Sequence, residues 1–194
     1  MTSDLTQLIE QSLSVTGDAF AQTLQELASL GLEGDDLKRF LQRVMEDASC
    51  DQVEMLVQQW GKEVAFGVLD WGMFWQRCID PALPYFEQLS EKEQKSLVYQ
   101  AAAEGYSCVV ERGLPTLDPK DHWTLINETF YIHPKISQMV YACCDPVEVM
   151  KNLRNNDLQA AAQWVEDMHR PVHEKRLLEE ATASTGRDVE RKKI

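Results

Sequence analysis

AFGVLDWGMFWQR, residues 65–77, decides how the chain folds. It is almost wholly apolar, places Trp71 and Trp75 one helical turn apart, and carries one acid, Asp70. It can be read as the setting of a catalytic carboxylate, as a segment that enters a membrane, or as the buried spine of a helical fold. On either side the mostly apolar positions recur every three or four residues from Asp51 to Ile79: Val53, Leu56, Trp60, Val64, Gly67, Val68, Trp71, Phe74, Trp75 and Cys78. Phe66, Leu69 and Met73 fill the opposite side. A helix that is apolar all round is enclosed by protein or by lipid. This run is about a dozen residues, short of the ~20 that cross a bilayer, and Asp70 interrupts it. The spacing therefore predicts a central core helix over 51–79. Gly61, Gly67 and Gly72 each cost such a helix about 1 kcal/mol against alanine. A closely crossing neighbour or a kink accounts for them.

The flanking sequence carries helix signals on both sides. Ser3 or Thr2 caps a first amphipathic helix, and a second runs from Asp18 to Leu30 with Gly31 at its end. A third follows Glu33-Gly34-Asp35-Asp36, whose acids suit a helix start. Beyond Pro81 and Pro84, Ser90 and Glu93 form a capping box for a helix reaching Gly105 or Val110. The stretch 124–144 is rich in β-branched and aromatic residues. With no partner strand in view, it reads as helices broken at Pro134. Asp145-Pro146 and Asn156-Asp157 open two further helices, and a last one is expected over 172–183. The predicted fold is all-α, a multi-helix bundle or short stack of helical hairpins of about 8–10 helices, in one domain over 1–183 with a polar tail at 184–194. Residues 85–103 and 164–183 echo one another as an aromatic-led helix, a break and an Ala-rich helix, the pattern of a duplicated hairpin.

Net charge is −13 over 194 residues, which argues against a phosphate backbone or an anionic membrane as main partner. Residues 1–60 alone hold 11 acids against Lys38, Arg39 and Arg43, so the amino-terminal third is the expected surface for any charged partner. The first twenty residues lack a basic head and an apolar run, so no secretory leader is expected. Five cysteines (Cys50, Cys78, Cys108, Cys143, Cys144) without a CxxC spacing fit free thiols in a reducing cytoplasm.

No glycine-rich phosphate loop, GxSxG elbow, HExxH or CxxC pair is present. Three looser groupings remain. Glu166 and His169 form an ExxH with His173 four residues on; a carboxylate-bridged di-iron bundle needs two such pairs and two further inward Glu, and this is the one pair in the sequence. Asp118-Pro119-Lys120-Asp121-His122 is similar to the EPxDH signature of the chaperones that mature molybdenum oxidoreductases. Those are acidic, cytosolic, all-helical proteins of about this size. Asp118 stands where that signature has Glu, and Trp123 where an aliphatic residue is usual. The resemblance implies that Asp121 and His122 lie at a peptide- or cofactor-binding surface. The plainer reading is an Asp-Pro turn with Asp121 capping the next helix. The third is Asp70, whose acidity burial would weaken unless Arg77 or Lys62 serves its face.

These readings converge on a cytoplasmic, non-enzymatic helical protein, an adaptor or regulatory module that binds another protein. Its aromatic residues Trp60, Trp71, Trp75, Trp123 and Trp164 suit an interface. The partner is expected to be basic or to take up aromatic side chains; neither nucleic acid nor membrane is expected. No catalytic residue, metal or cofactor is assigned. The alternatives are a dedicated chaperone for a secreted or cofactor-containing enzyme, with Asp121, His122 and Trp123 at its client site, and a metal-dependent oxidase or sensor using Glu166, His169 and His173.

Overall fold

Local signals set most of the helix boundaries. Ser49 and Gln52 close a capping box, Gln52 N donating to Ser49 Oγ at 3.3 Å and Ser49 N to Gln52 Oε1 at 2.9 Å. Ser90 and Glu93 close another. Asp145 Oδ1 accepts from Val147 N at 2.8 Å and starts a helix at Pro146. At the other ends, Gly31 and Gly105 adopt positive φ and let terminal carbonyls find donors.

The computed structural model describes residues 3–12, 14–168 and 170. Among these, ten α-helices and two 3-10 helices have defined bounds, and there is no strand. The all-α expectation holds. The chain divides into two compact units, 1–118 and 119–194.

The first unit contains α1 (Ser3–Ser12), α2 (Gly17–Ser29), α3 (Gly34–Met45), α4 (Cys50–Trp60) and α5 (Lys62–Phe74). A 3-10 segment at Asp80–Gln88, α6 (Glu91–Glu104), α7 (Ser107–Gly113) and a 3-10 turn at Leu114–Thr116 complete it. Helix α5 is its hub, packing against α3, α4, α6 and the Asp80–Gln88 segment. Val64, Ala65, Val68, Leu69 and Met73 on α5 are fully buried, as are Phe40, Leu56, Phe86 and Leu97 around it. Each such side chain contributes up to about 1.5–3 kcal/mol through removal from water.

The single helix expected over 51–79 is corrected: it is two helices, broken at Gly61. Gly61 has φ 52° and ψ −121°, backbone that side-chain-bearing residues scarcely enter. The Tyr85 ring sits 3.6 Å from where its Cβ would be. Gly72 has a different use, close packing. A Cβ there would lie 2.5 Å from Ile79 Cγ2 and 3.3 Å from Met45 Cε, so its absence lets α3 and the 76–79 turn close on α5.

Helix α5 stops in a Schellman motif. Arg77 N donates to Gly72 O at 2.7 Å and Gln76 N to Met73 O at 3.2 Å, with Gln76 at φ 54° in the left-handed position usually given to glycine.

The second unit contains α8 (Pro119–Thr129), α9 (Pro134–Ala142) and α10 (Pro146–Asn155), with helical backbone again at 159–168. Residues 130–132 form the turn between α8 and α9. That hairpin is locked by a buried pair. Thr129 Oγ1 donates to Leu125 O at 2.7 Å, which leaves Ser137 Oγ to donate to Thr129 Oγ1 at 2.6 Å. Phe130 and Trp164 meet with ring centroids 6.2 Å apart. The expected helix at 172–183, the tail at 184–194 and most of the second copy of the 85–103 echo lie outside the described residues.

Candidate functional site

Two exposed aromatics stand where α5 ends, Phe74 as its last residue and Trp75 just beyond it. Phe74 is 52% exposed and Trp75 40%, one and two residues beyond the fully buried Met73. Their rings meet edge to face at 4.9 Å and 85°, and Trp71 meets Phe74 at 6.0 Å and 89°. Quadrupole-matched, edge-to-face contacts hold aromatic rings in a fixed arrangement. The Schellman turn closes the backbone beneath them. Arg77 then pins the turn to α3: its Nε donates to Glu46 O at 3.0 Å, Nη2 reaches the same oxygen, and Nη2 contacts Asp47 Oδ1 at 3.2 Å. Trp71, Phe74 and Trp75 thus form a braced apolar ledge. Of the five tryptophans expected at an interface, only Trp75 is exposed; Trp60, Trp71, Trp123 and Trp164 are half-buried.

Asp70, one turn before the ledge, is half-buried, and burial raises its pKa above the ordinary carboxylate value of 3.8. Arg77, expected to serve it, reaches Glu46 and Asp47 instead, and Lys62 lies in the field of Glu93. The backbone at Asp70 is tied down, its carbonyl accepting from Gln100 Nε2 at 2.7 Å. The acid therefore belongs to the scaffold, where it adds negative character beside the ledge.

Charge is divided sharply. Residues 1–118 hold twenty acids against eight bases, a net of −12, whereas residues 119–194 hold twelve against eleven. The ledge lies in the acidic unit.

The residues singled out in 118–123 are placed as follows. Helix α8 begins at Pro119, so Asp121 sits within its first turn and not at the cap, which corrects the capping expectation. Asp121 is 5% exposed, and His122 and Trp123 are half-buried. His122 Nε2 is buried without a hydrogen-bond partner. It belongs to a small pocket of about 140 Å³ with Pro119, Cys143, Cys144, Asp145 and Asn152. Cys144 Sγ donates to Val140 O at 3.0 Å, and burial pushes its pKa up to about 11, so it is a poor nucleophile.

Glu166 is exposed and ion-paired with Arg154, while His169 and His173 lie outside the described residues. Among the described residues no three His, Cys, Asp or Glu side chains are grouped to hold a metal.

A larger groove of about 860 Å³ in the second unit is lined by Tyr141, Pro146, Val147, Met150 and Val165, with Arg154 at its side. Among the described residues no helix is long and apolar enough to cross a membrane.

Compared with known proteins, the chain matches no family model, no curated protein and no solved structure.

Sequence reasoning missed the exposure of Phe74 and the tether made by Arg77. An all-round apolar pattern does not say which end of a helix runs out of neighbours. The spacing Ser49-x-x-Gln52 is a capping-box signal that places the start of α4 at Cys50, and it was legible.

Proposed function

We propose that this protein acts by binding another protein, with the ledge of Trp71, Phe74 and Trp75 as its contact surface. The observation that carries this reading is the exposure of Phe74 and Trp75 directly after the fully buried Met73, at the end of the helix that forms the hub of the first unit. Large aromatics left in water cost free energy that docking recovers, and Trp is among the residues most often dominant in interfaces. The preferred partner segment is basic and amphipathic. Its apolar face meets the ledge, and its cations meet a unit whose net charge is −12.

The test is a peptide-display selection on the purified full chain. Basic amphipathic peptides should be enriched, and Phe74→Ser with Trp75→Ser should weaken them at least about tenfold, the scale of losing a hot-spot residue. Convergence on peptides indifferent to both substitutions, or on none while a small metabolite shifts the melting temperature, would overturn the reading.

A second reading is favoured by one atom. The unpartnered Nε2 of His122 supports a client-binding role for 118–123, as the resemblance of that segment to the chaperone signature implies. Selected peptides that lose affinity on His122→Ala and keep it on Phe74→Ser would replace the first reading with this one.

A further inference from the structure

Two cysteines far apart in sequence meet in the first unit. Cys50 is the first residue of α4 and is exposed; Cys78 is half-buried and lies just beyond the Schellman turn. The Cys50 thiol and the Asp80 backbone N–H are both near enough to act on the Cys78 sulfur. An independent set of contacts keeps the two strips of chain side by side: Arg77, the neighbour of Cys78, is bonded to Glu46 O and Asp47, at the end of α3 just before Cys50. From this juxtaposition we propose that Cys50 and Cys78 are a modification site, forming a reversible intrachain disulfide when the protein meets a hydroperoxide.

The roles follow from position. Cys50 is exposed at the start of α4, where a hydroperoxide can reach its sulfur, while Cys78 is half-buried. The Cys50 sulfur attacks the peroxide O–O bond, giving Cys50 sulfenic acid and releasing hydroxide or alkoxide. The Cys78 sulfur then attacks the Cys50 sulfur, the S–O bond breaks, and the departing oxygen leaves as water with the Cys78 proton. In net terms two thiols are oxidised to one disulfide, and the hydroperoxide is reduced to water and an alcohol, or to two waters from hydrogen peroxide. Burial first, then the neighbouring Cys50 thiol, push the Cys78 pKa up to about 11. Cys78 therefore waits as a thiol and serves as the resolving partner, not the first to react. Cys143 and Cys144 do not compete, because joining adjacent residues closes a strained ring. The site does not depend on the protein-binding reading.

The test uses the reduced full chain and one equivalent of hydrogen peroxide. Alkylation should fall from five thiols to three, the mass should drop by two hydrogens, and peptide mapping should join Cys50 to Cys78. Dithiothreitol should restore all five. In Cys78→Ser, Cys50 should accumulate as a dimedone-trappable sulfenic acid; in Cys50→Ser, Cys78 should alkylate as it did before peroxide. A first crosslink involving Cys108, Cys143 or Cys144, or Cys50 and Cys78 still alkylating at their reduced rates after peroxide, would overturn the proposal. Matching circular dichroism of the serine variants excludes misfolding as the cause of either result.

Discussion

Arg77 and Glu46 are joined across 31 residues: the guanidinium of the first donates through Nε at 3.0 Å, and again through Nη2, to the backbone carbonyl of the second. One side chain thus satisfies a carbonyl at the end of α3 and fixes the turn that ends α5. Hydrogen bonds from a charged donor contribute about 1.5–3 kcal/mol, and partial exposure of Arg77 reduces that. Arg77→Ala is expected to lower stability by about 1–2 kcal/mol in urea denaturation. Arg77→Lys should recover only part of the loss, because a single ammonium cannot reproduce the fork.

Gln76 gives the opposite expectation. It occupies a left-handed conformation at φ 54°, which costs a side-chain-bearing residue about 1–2 kcal/mol. Gln76→Gly removes the strain and adds some unfolded-state freedom, so a net gain of about 0.5–1 kcal/mol is expected. A fall in the urea midpoint would show that the Gln side chain holds the turn by a contact of greater worth.

Gly72→Ala tests how tightly α3 and the 76–79 turn close on α5. Helix propensity alone favours alanine by about 1 kcal/mol. The added methyl, however, would stand 2.5 Å from Ile79 Cγ2, and overpacking of that kind costs about 1–3 kcal/mol. A net loss is expected. Gly67→Ala, where the nearest atom is the end of the flexible Leu41 side chain at 3.1 Å, should be milder.

Asp70 sets a pH dependence. Burial raises its folded-state pKa above 3.8, the value for an exposed carboxyl, so the native chain holds this proton more tightly than the unfolded one. Its contribution therefore falls as pH rises through the interval between the two values and stays unfavourable above it. Asp70→Asn is expected to be more stable than the parent at neutral pH, with the difference shrinking toward zero below pH 3.8. The two proteins must be compared at each pH, since Glu93, held low by hydrogen bonds from Ser90, gives stability that is lost on acidification of both. An equal difference at every pH would show that the carboxyl titrates alike folded and unfolded.

The all-α architecture was legible in the sequence wherever a local signal carried it. Ser90 with Glu93, Gly31 and Asp145-Pro146 all mark boundaries that the structure keeps, and Val64, Val68, Leu69 and Met73 lie in the core as their spacing predicts, whereas Phe66 and Trp71 are only half-buried. What failed depended on contacts between distant segments. Gly61 looks like one more weak helix position until Tyr85 is packed beside it. Arg77 faces Asp70 on a helical wheel, but the helix ends before Arg77, whose side chain turns to Glu46. The meeting of Cys50 with Cys78 has no local signature, because the fold of α4 and α5 alone brings them together.

The Arg77–Cys78 peptide bond is also where trypsin would cut, and its arginine is already occupied. A protease must take that side chain into its own pocket, so the bond can be cleaved only in molecules whose turn has let go of Glu46. Digestion at this one site is therefore a built-in clock for local opening beneath the ledge. It should run fast when the tether is weakened and slow when anything, a bound peptide or a sulfur bridge, holds the turn shut.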